Sequence, residues 1–393
     1  MFFNNLKYLV FFLLTLSLFF DVQASKNLQL ENDSIKKGKK NSIFFAFFVE
    51  SGLMFDVSNM SSIFKEKKAG RKVILDSQYQ GYEIKVAISS NIATKYHSLY
   101  RYPKYGIGFY FGNFNNKNIG FPVAMFGWIE VPFTHKRPKQ KVSFGYGAEI
   151  GIAWNFNPYN ADRNPTNVFL GSRENYILGA YFYSDFHINP HLVIGINAGL
   201  RHFSNGGWEQ PNIGINILSG AVSLKYQINQ PLQLPERLVV SKVKPCWKWG
   251  LKFGFGRKQN DIGTPFYHKV VIGGNILRQI SNKYCIGIGL ENTFSFGRKD
   301  NGTIRTAWRD RVSPAAVGCW EWILSSKVVI PMEIGIYLLP KNLVNGEKYQ
   351  TFARIGIRYF IIPHFWIGGT AKGHSIVTHT VADFSELGFG YEK

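Results

Sequence analysis

Cysteine is nearly missing from this chain: Cys246, Cys285 and Cys319 are all it has in 393 residues. An odd count without metal-ligand spacing argues against a disulfide framework or a zinc site and leaves room for one bridge at most. Past residue 20 no stretch reaches the roughly 18 apolar residues that a membrane helix needs. Acids are scarce too, 25 against 46 Lys and Arg, so the formal net charge is +21. There is no G-x-S-x-G elbow, which argues against an α/β-hydrolase. The glycines of "GYGAEIG" (145–151) alternate within a strand pattern and do not form a phosphate loop. His374 and His379 lack a useful ligand spacing on a strand, so neither a metal nor a cofactor is expected.

What is present points outward from the cell interior. Residues 1–24 read as a secretory signal peptide: Lys7, an apolar run from Tyr8 to Phe20, and a small-residue cleavage site ending at Ala24. Lys7 and Asp21 cancel, so the +21 charge survives its removal. An exported protein rarely meets nucleic acid. A basic balance there fits an anionic membrane surface or a phosphorylated lipid. The basic clusters "KEKKAGRK" (65–72) and "THKRPKQK" (134–141) read as solvated turns. A charged segment, 25–42, precedes the first strand pattern.

Aromatics and glycine are abundant, with 34 Phe, 20 Tyr, 9 Trp and 39 Gly. Without an apolar helix, that composition suits a transmembrane β-barrel with aromatic girdles; a large soluble β-sandwich is the bland alternative. Strict alternation fits the barrel without excluding the sandwich, and the signal peptide and the aromatics tip the balance. In "KVSFGYGAEIGIAW" (141–154) one face carries Val142, Phe144, Tyr146, Ala148, Ile150, Ile152 and Trp154, and the other carries small or charged residues. Similar segments fall near 43–56, 80–89, 104–113, 119–133, 140–155, 175–187, 190–204 and 214–228. After a Pro-punctuated linker, 230–245, a second series follows near 246–257, 266–277, 283–297, 315–324, 326–339, 348–361, 364–373 and 384–391. The series look related: "EIGIAW" (149–154) matches "EIGIYL" (333–338), and "INPHLVIG" (188–195) matches "IIPHFWIG" (361–368). The expectation is an all-β antiparallel barrel protein of two eight-strand halves, 43–229 and 246–393, forming two barrels or one wider barrel.

One motif carries chemistry. Continued through "HLVIGINAGLRHFS" (191–204), the alternation puts His202 and Ser204 at the end of the apolar, lipid-facing row, with Asn197 and Arg201 facing inward. In "GINILSGAVSLKYQI" (214–228) the outward row begins with Asn216. Polar groups aimed at lipid are costly unless they partner one another. Ser204 as nucleophile, His202 as base and Asn216 as orienter have the composition of a serine esterase, and the Asn205-Gly206-Gly207 turn could supply oxyanion donors. The bland reading is a chance H-x-S before an ordinary turn.

"RHFSNGG…PNIGIN" resembles the signature of the PagL-type lipid A 3-O-deacylases, and "NPYNADRNPTNVFLGS" (157–172) is similar to bacterial acyloxyacyl-hydrolase relatives of that family. The resemblance covers about residues 80 to 228. It implies an outer-membrane barrel that removes an ester-linked acyl chain from lipid A, with Ser204 as nucleophile, His202 as general base, and Asn205 and Gly207 contributing to the oxyanion hole. The third member in the family is a glutamate where this chain has Asn216; Glu209 is another acid within reach. A Ser-His-Asn set facing lipid also resembles outer-membrane phospholipase A, and a degenerate, lipid-binding or structural barrel is the non-enzymatic alternative. The second half has His374-Ser375 but no H-x-S-N and no following Gly-rich turn, leaving Asp383 and Glu386 unassigned.

Overall fold

The computed structural model describes residues 42–55, 68–89, 94–135, 140–228, 238–259, 262–296, 311–339, 350–374 and 381–393. The signal-peptide reading therefore lies outside the described residues, as does nearly all of the charged segment that follows it. Among the described residues no helix is long and apolar enough to cross a membrane.

Sixteen strands account for most of what is described. The first eight are β1 (Ser42–Phe55), β2 (Tyr79–Ser89), β3 (Lys104–Asn113), β4 (Gly120–Pro132), β5 (Val142–Phe156), β6 (Asn175–His187), β7 (Leu192–Ser204) and β8 (Ile215–Gln227). The second eight are β9 (Cys246–Lys258), β10 (Tyr267–Gln279), β11 (Tyr284–Ser295), β12 (Val312–Ile323), β13 (Val328–Tyr337), β14 (Thr351–Ile362), β15 (Phe365–His374) and β16 (Val381–Glu392). Each set is an antiparallel meander closed on itself. β1 pairs with β8 from Phe44↔Gln227 to Phe55↔Asn216, and β9 pairs with both β10 and β16. The chain thus folds as two eight-stranded barrels and not as one wide one. Two short helices join them, α1 (Lys68–Leu75) and α2 (Lys95–Leu99). α1 corrects the reading of 65–72 as a turn: from Lys68 onward that basic stretch is helical.

Period-two patterning sets what faces where. On β1, Phe45 and Phe47 are 41% and 47% exposed, whereas Phe44 and Phe48 are 5% and 1%. The outer walls are apolar and the interiors hold the charges, the arrangement of a barrel in lipid. Inside the first barrel Arg201 reaches Glu50 (2.9 Å), Glu149 (2.8 Å) and Glu83, while Lys85 reaches Glu83 (2.9 Å) and Glu149 (3.3 Å). Lys225 meets Asp185 at 2.7 Å and Glu130 at 3.3 Å. The second barrel repeats the solution: Arg354 holds Glu291 (2.6 Å), Glu333 (2.5 Å) and Glu386 (3.0 Å). Charges this deep are tolerated because each is met by an opposite one. The cavity left in the first barrel, lined by Glu50, Glu83, Lys85, Glu149 and Arg201 among others, is about 20 Å³, room for one water.

Both barrels run the same way. Tight connections, 188–191, 280–283, 324–327 and 363–364, gather at one rim, and longer ones such as 157–174 and 205–214 gather at the other. At the tight-turn rim Tyr96 of α2 packs against the second barrel's core cluster, which includes Leu277 and Cys285. The Tyr100 hydroxyl donates to the Ile323 carbonyl (2.6 Å) and accepts from Trp322 Nε1 (2.7 Å). Burial pushes that hydroxyl above the ordinary tyrosine range, so it keeps its proton and stays a donor. The three cysteines are unbridged.

Candidate active site

The site forms where β7 ends and β8 begins, at the long-loop rim. The barrel register pairs His202 directly with Asn216, and both lie on outward-facing rows. Asn216 Oδ1 lies 2.8 Å from His202 Nδ1. An amide oxygen can only accept, so Nδ1 carries the hydrogen and Nε2 keeps its lone pair. Among the described residues Asn216 Nδ2 is buried without a partner, which leaves the amide committed to the histidine through one end alone. Gly214 makes room for the ring. It has φ +81°, and a Cβ there would sit 2.5 Å from His202 Cε1.

Ser204, on the same outward row as His202, is covered: it is 5% exposed. Its neighbour Phe203 points inward, packing on Tyr110 and Phe156 and fixing the strand end. The serine Oγ lies 3.0 Å from Asn212 Nδ2 and 3.1 Å from Asn212 Oδ1, and the Gly206 N–H donates to it at 3.0 Å. The Asn205 N–H holds the Asn212 amide through its Oδ1, at 3.0 Å. Among the described residues no hydrogen bond joins His202 to Ser204. The serine proton points at Asn212 Oδ1, and a bond to Nε2 would need it to turn, a tightening common between free and substrate-bound sites.

Asn205 and Gly207, the residues the motif puts at the oxyanion hole, are bonded into the loop. Asn205 Nδ2 donates to Ser172 Oγ (2.9 Å) and the Glu209 carbonyl (2.8 Å), and the Gly207 N–H donates to Asn205 Oδ1 (2.9 Å). The donors that meet Ser204 Oγ belong instead to Gly206 and Asn212. Asn212 was readable in principle, because it is the Asn of the P-N-x-G element. Glu209 contributes its main-chain carbonyl, and it is Asn216 that takes His202 Nδ1.

The loop rests on the Asn-rich connection 157–174. Asn164 and Asn167 donate their amides to the carbonyls of Asn118 and Asn157 at 2.7–3.1 Å, making that connection a self-bonded platform. From it Ser172 reaches Asn205, and the Phe169 carbonyl accepts the Gly214 N–H at 3.0 Å. In the second barrel the residues following β15, including Ser375, lie outside the described residues, as do the side chains of His374 and Asp383. Glu386 faces inward as one of the partners of Arg354.

Residues 80–225 match the family model of the lipid A 3-O-deacylases (PagL), and residues 247–392 match that of the acyloxyacyl hydrolase C-terminal domain. No curated protein matches the chain. Among solved structures it is similar to an outer membrane channel from Pseudomonas putida F1, at 7% identity, 93% of this chain, 100% of that one and a TM-score of 0.20. It is also similar to the outer membrane protein Omp33 of Acinetobacter baumannii, at 9% identity, 89% and 97% coverage and a TM-score of 0.16. Superpositions this loose carry no argument about function.

Proposed function

Because the chain belongs to the lipid A 3-O-deacylase (PagL) family, we propose that it is an exported outer-membrane esterase that removes an ester-linked acyl chain from lipid A. The observation that carries the reading is the His202–Asn216 pair on the outer wall, two residues from a serine whose oxygen already meets two amide donors. The apolar outer walls and the +21 charge support a lipid with anionic headgroups as substrate.

The reaction follows from the proton inventory. His202 Nε2 takes the Ser204 hydroxyl proton as Oγ attacks the ester carbonyl. The carbonyl oxygen becomes an oxyanion beside the Gly206 N–H and the Asn212 amide. Collapse expels the sugar-side alkoxide, which receives the proton from Nε2 and leaves an acyl-serine. Water, deprotonated by His202, then hydrolyses that ester and frees the fatty acid. Asn216 holds the Nδ1–H tautomer throughout but offers no charge to the imidazolium.

Mass spectrometry of lipid A incubated with the refolded protein and with Ser204→Ala tests this. Loss of one acyl chain is expected with wild type only, the variant being slower by a factor of about 10³ or more. A glycerophospholipid is the alternative substrate, which the same spectra would register as lysophospholipid. Intact lipid A and intact phospholipid in both samples would leave a lipid-binding relic.

A further inference from the structure

The second barrel touches the nucleophile's loop at the long-loop rim. Ser385 Oγ, on the outer face of β16, lies 3.4 Å from the Gly206 carbonyl. Gln259 Oε1, just past β9, accepts the Gln210 N–H at 2.7 Å. The Arg257 guanidinium lies 5.9 Å from the centre of the Trp208 ring. Gly206 is pressed so closely that a Cβ there would fall 1.8 Å from Ser385 Oγ; at φ +69° its backbone is also one that favours glycine.

We propose that Ser385 and Gln259 are positioning residues for the esterase, so that the second barrel completes a site whose chemistry lies in the first. The inference rests on the esterase reading. Gly206 is the hinge of the argument, because its two peptide groups face opposite ways: the carbonyl meets Ser385, and the N–H donates to Ser204 Oγ. Four residues on, the Gln210 N–H is tied to Gln259, which is itself braced by donating Nε2 to the Thr264 carbonyl at 2.7 Å. The loop 205–210 is therefore held at both ends by a surface more than 40 residues away in sequence, and the donor beside the nucleophile is held with it. Losing a hold of this kind leaves lipid binding intact and misplaces a donor needed only in the transition state.

The experiment uses the full chain as wild type, Ser385→Ala, Gln259→Ala and Gln259→Glu, each checked for heat-modifiable barrels. Main-chain deuterium exchange over 205–210 is read alongside turnover of lipid A in detergent micelles. Glutamate keeps an acceptor for the Gln210 N–H but cannot donate to the Thr264 carbonyl, so it separates the tie from its brace. The two alanine variants should exchange roughly tenfold faster and lose roughly tenfold in kcat at unchanged KM, with Gln259→Glu falling between Gln259→Ala and wild type. Unchanged exchange and unchanged kcat in both alanine variants would overturn the proposal, as would a fall in kcat without faster exchange. A wild type that leaves lipid A intact would sink the esterase reading alone, because the exchange arm still decides whether the second barrel holds the loop.

Discussion

The two barrels solve the same structural problem and differ where the chemistry sits. "EIGI" falls on the fifth strand of each, and its glutamate, Glu149 or Glu333, points into a buried arginine. "PH" falls in the turn before the seventh strand of each. There His191 Nδ1 donates to the Gln227 carbonyl and His364 Nδ1 to the Glu392 carbonyl, both at 2.8 Å, and both main chains pair reciprocally. Each histidine also meets the aromatic one residue before its partner, Tyr226 or Tyr391. The buried arginines sit on different strands, β7 in one barrel and β14 in the other, yet each binds three glutamates. The interior plug and the closing latch are shared. What sets the first barrel apart is an outward row at one rim and the loop beyond it.

If the plugs are equivalent, Arg201→Ala and Arg354→Ala should be equally damaging. Each removes the shared partner of three buried carboxylates, two of which keep a lysine (Lys85 or Lys252), and should cost about 3–5 kcal/mol of barrel stability, read as the urea midpoint of the refolded protein. A large loss for one and none for the other would break the equivalence. Asn216→Asp sharpens the difference between the barrels. It supplies the charge that the amide lacks and should raise kcat by about tenfold. A lower kcat would mean that the amide is the better orienter in this desolvated position. The smallest effects belong to the latches: His191→Ala and His364→Ala should each cost about 1 kcal/mol, measured in the same denaturation series, and a several-fold disparity would show that one turn does more than close its barrel.

Sixteen strands were legible because a lipid-facing wall and a charged interior impose strict period-two alternation, and most ends fell within two residues of where the pattern stops. β12 and β16 each begin three residues early, at Val312 and Val381. α2 was missed, as five residues carry too little periodicity to register. The number of barrels was not legible, because closure is decided by β8 returning to β1 instead of continuing to β9. That choice is a long-range pairing with no local signature. At the site, the facing of His202, Asn216 and Arg201 followed from the strand pattern. The position of Asn212 did not, since residues 205–214 have no period to read. Ser385 against Gly206 lies beyond any such reading, with 179 residues between them.

An outward-facing histidine–asparagine pair has a consequence for how the proposed enzyme meets its substrate. The reactants share one surface, so encounter is two-dimensional, and the relevant concentration is the mole fraction of lipid A among neighbouring lipids. Adding inert detergent at constant bulk substrate would thin that surface and slow the reaction. Each acyl chain cut would leave its product beside the same wall, competing for the place it has just vacated.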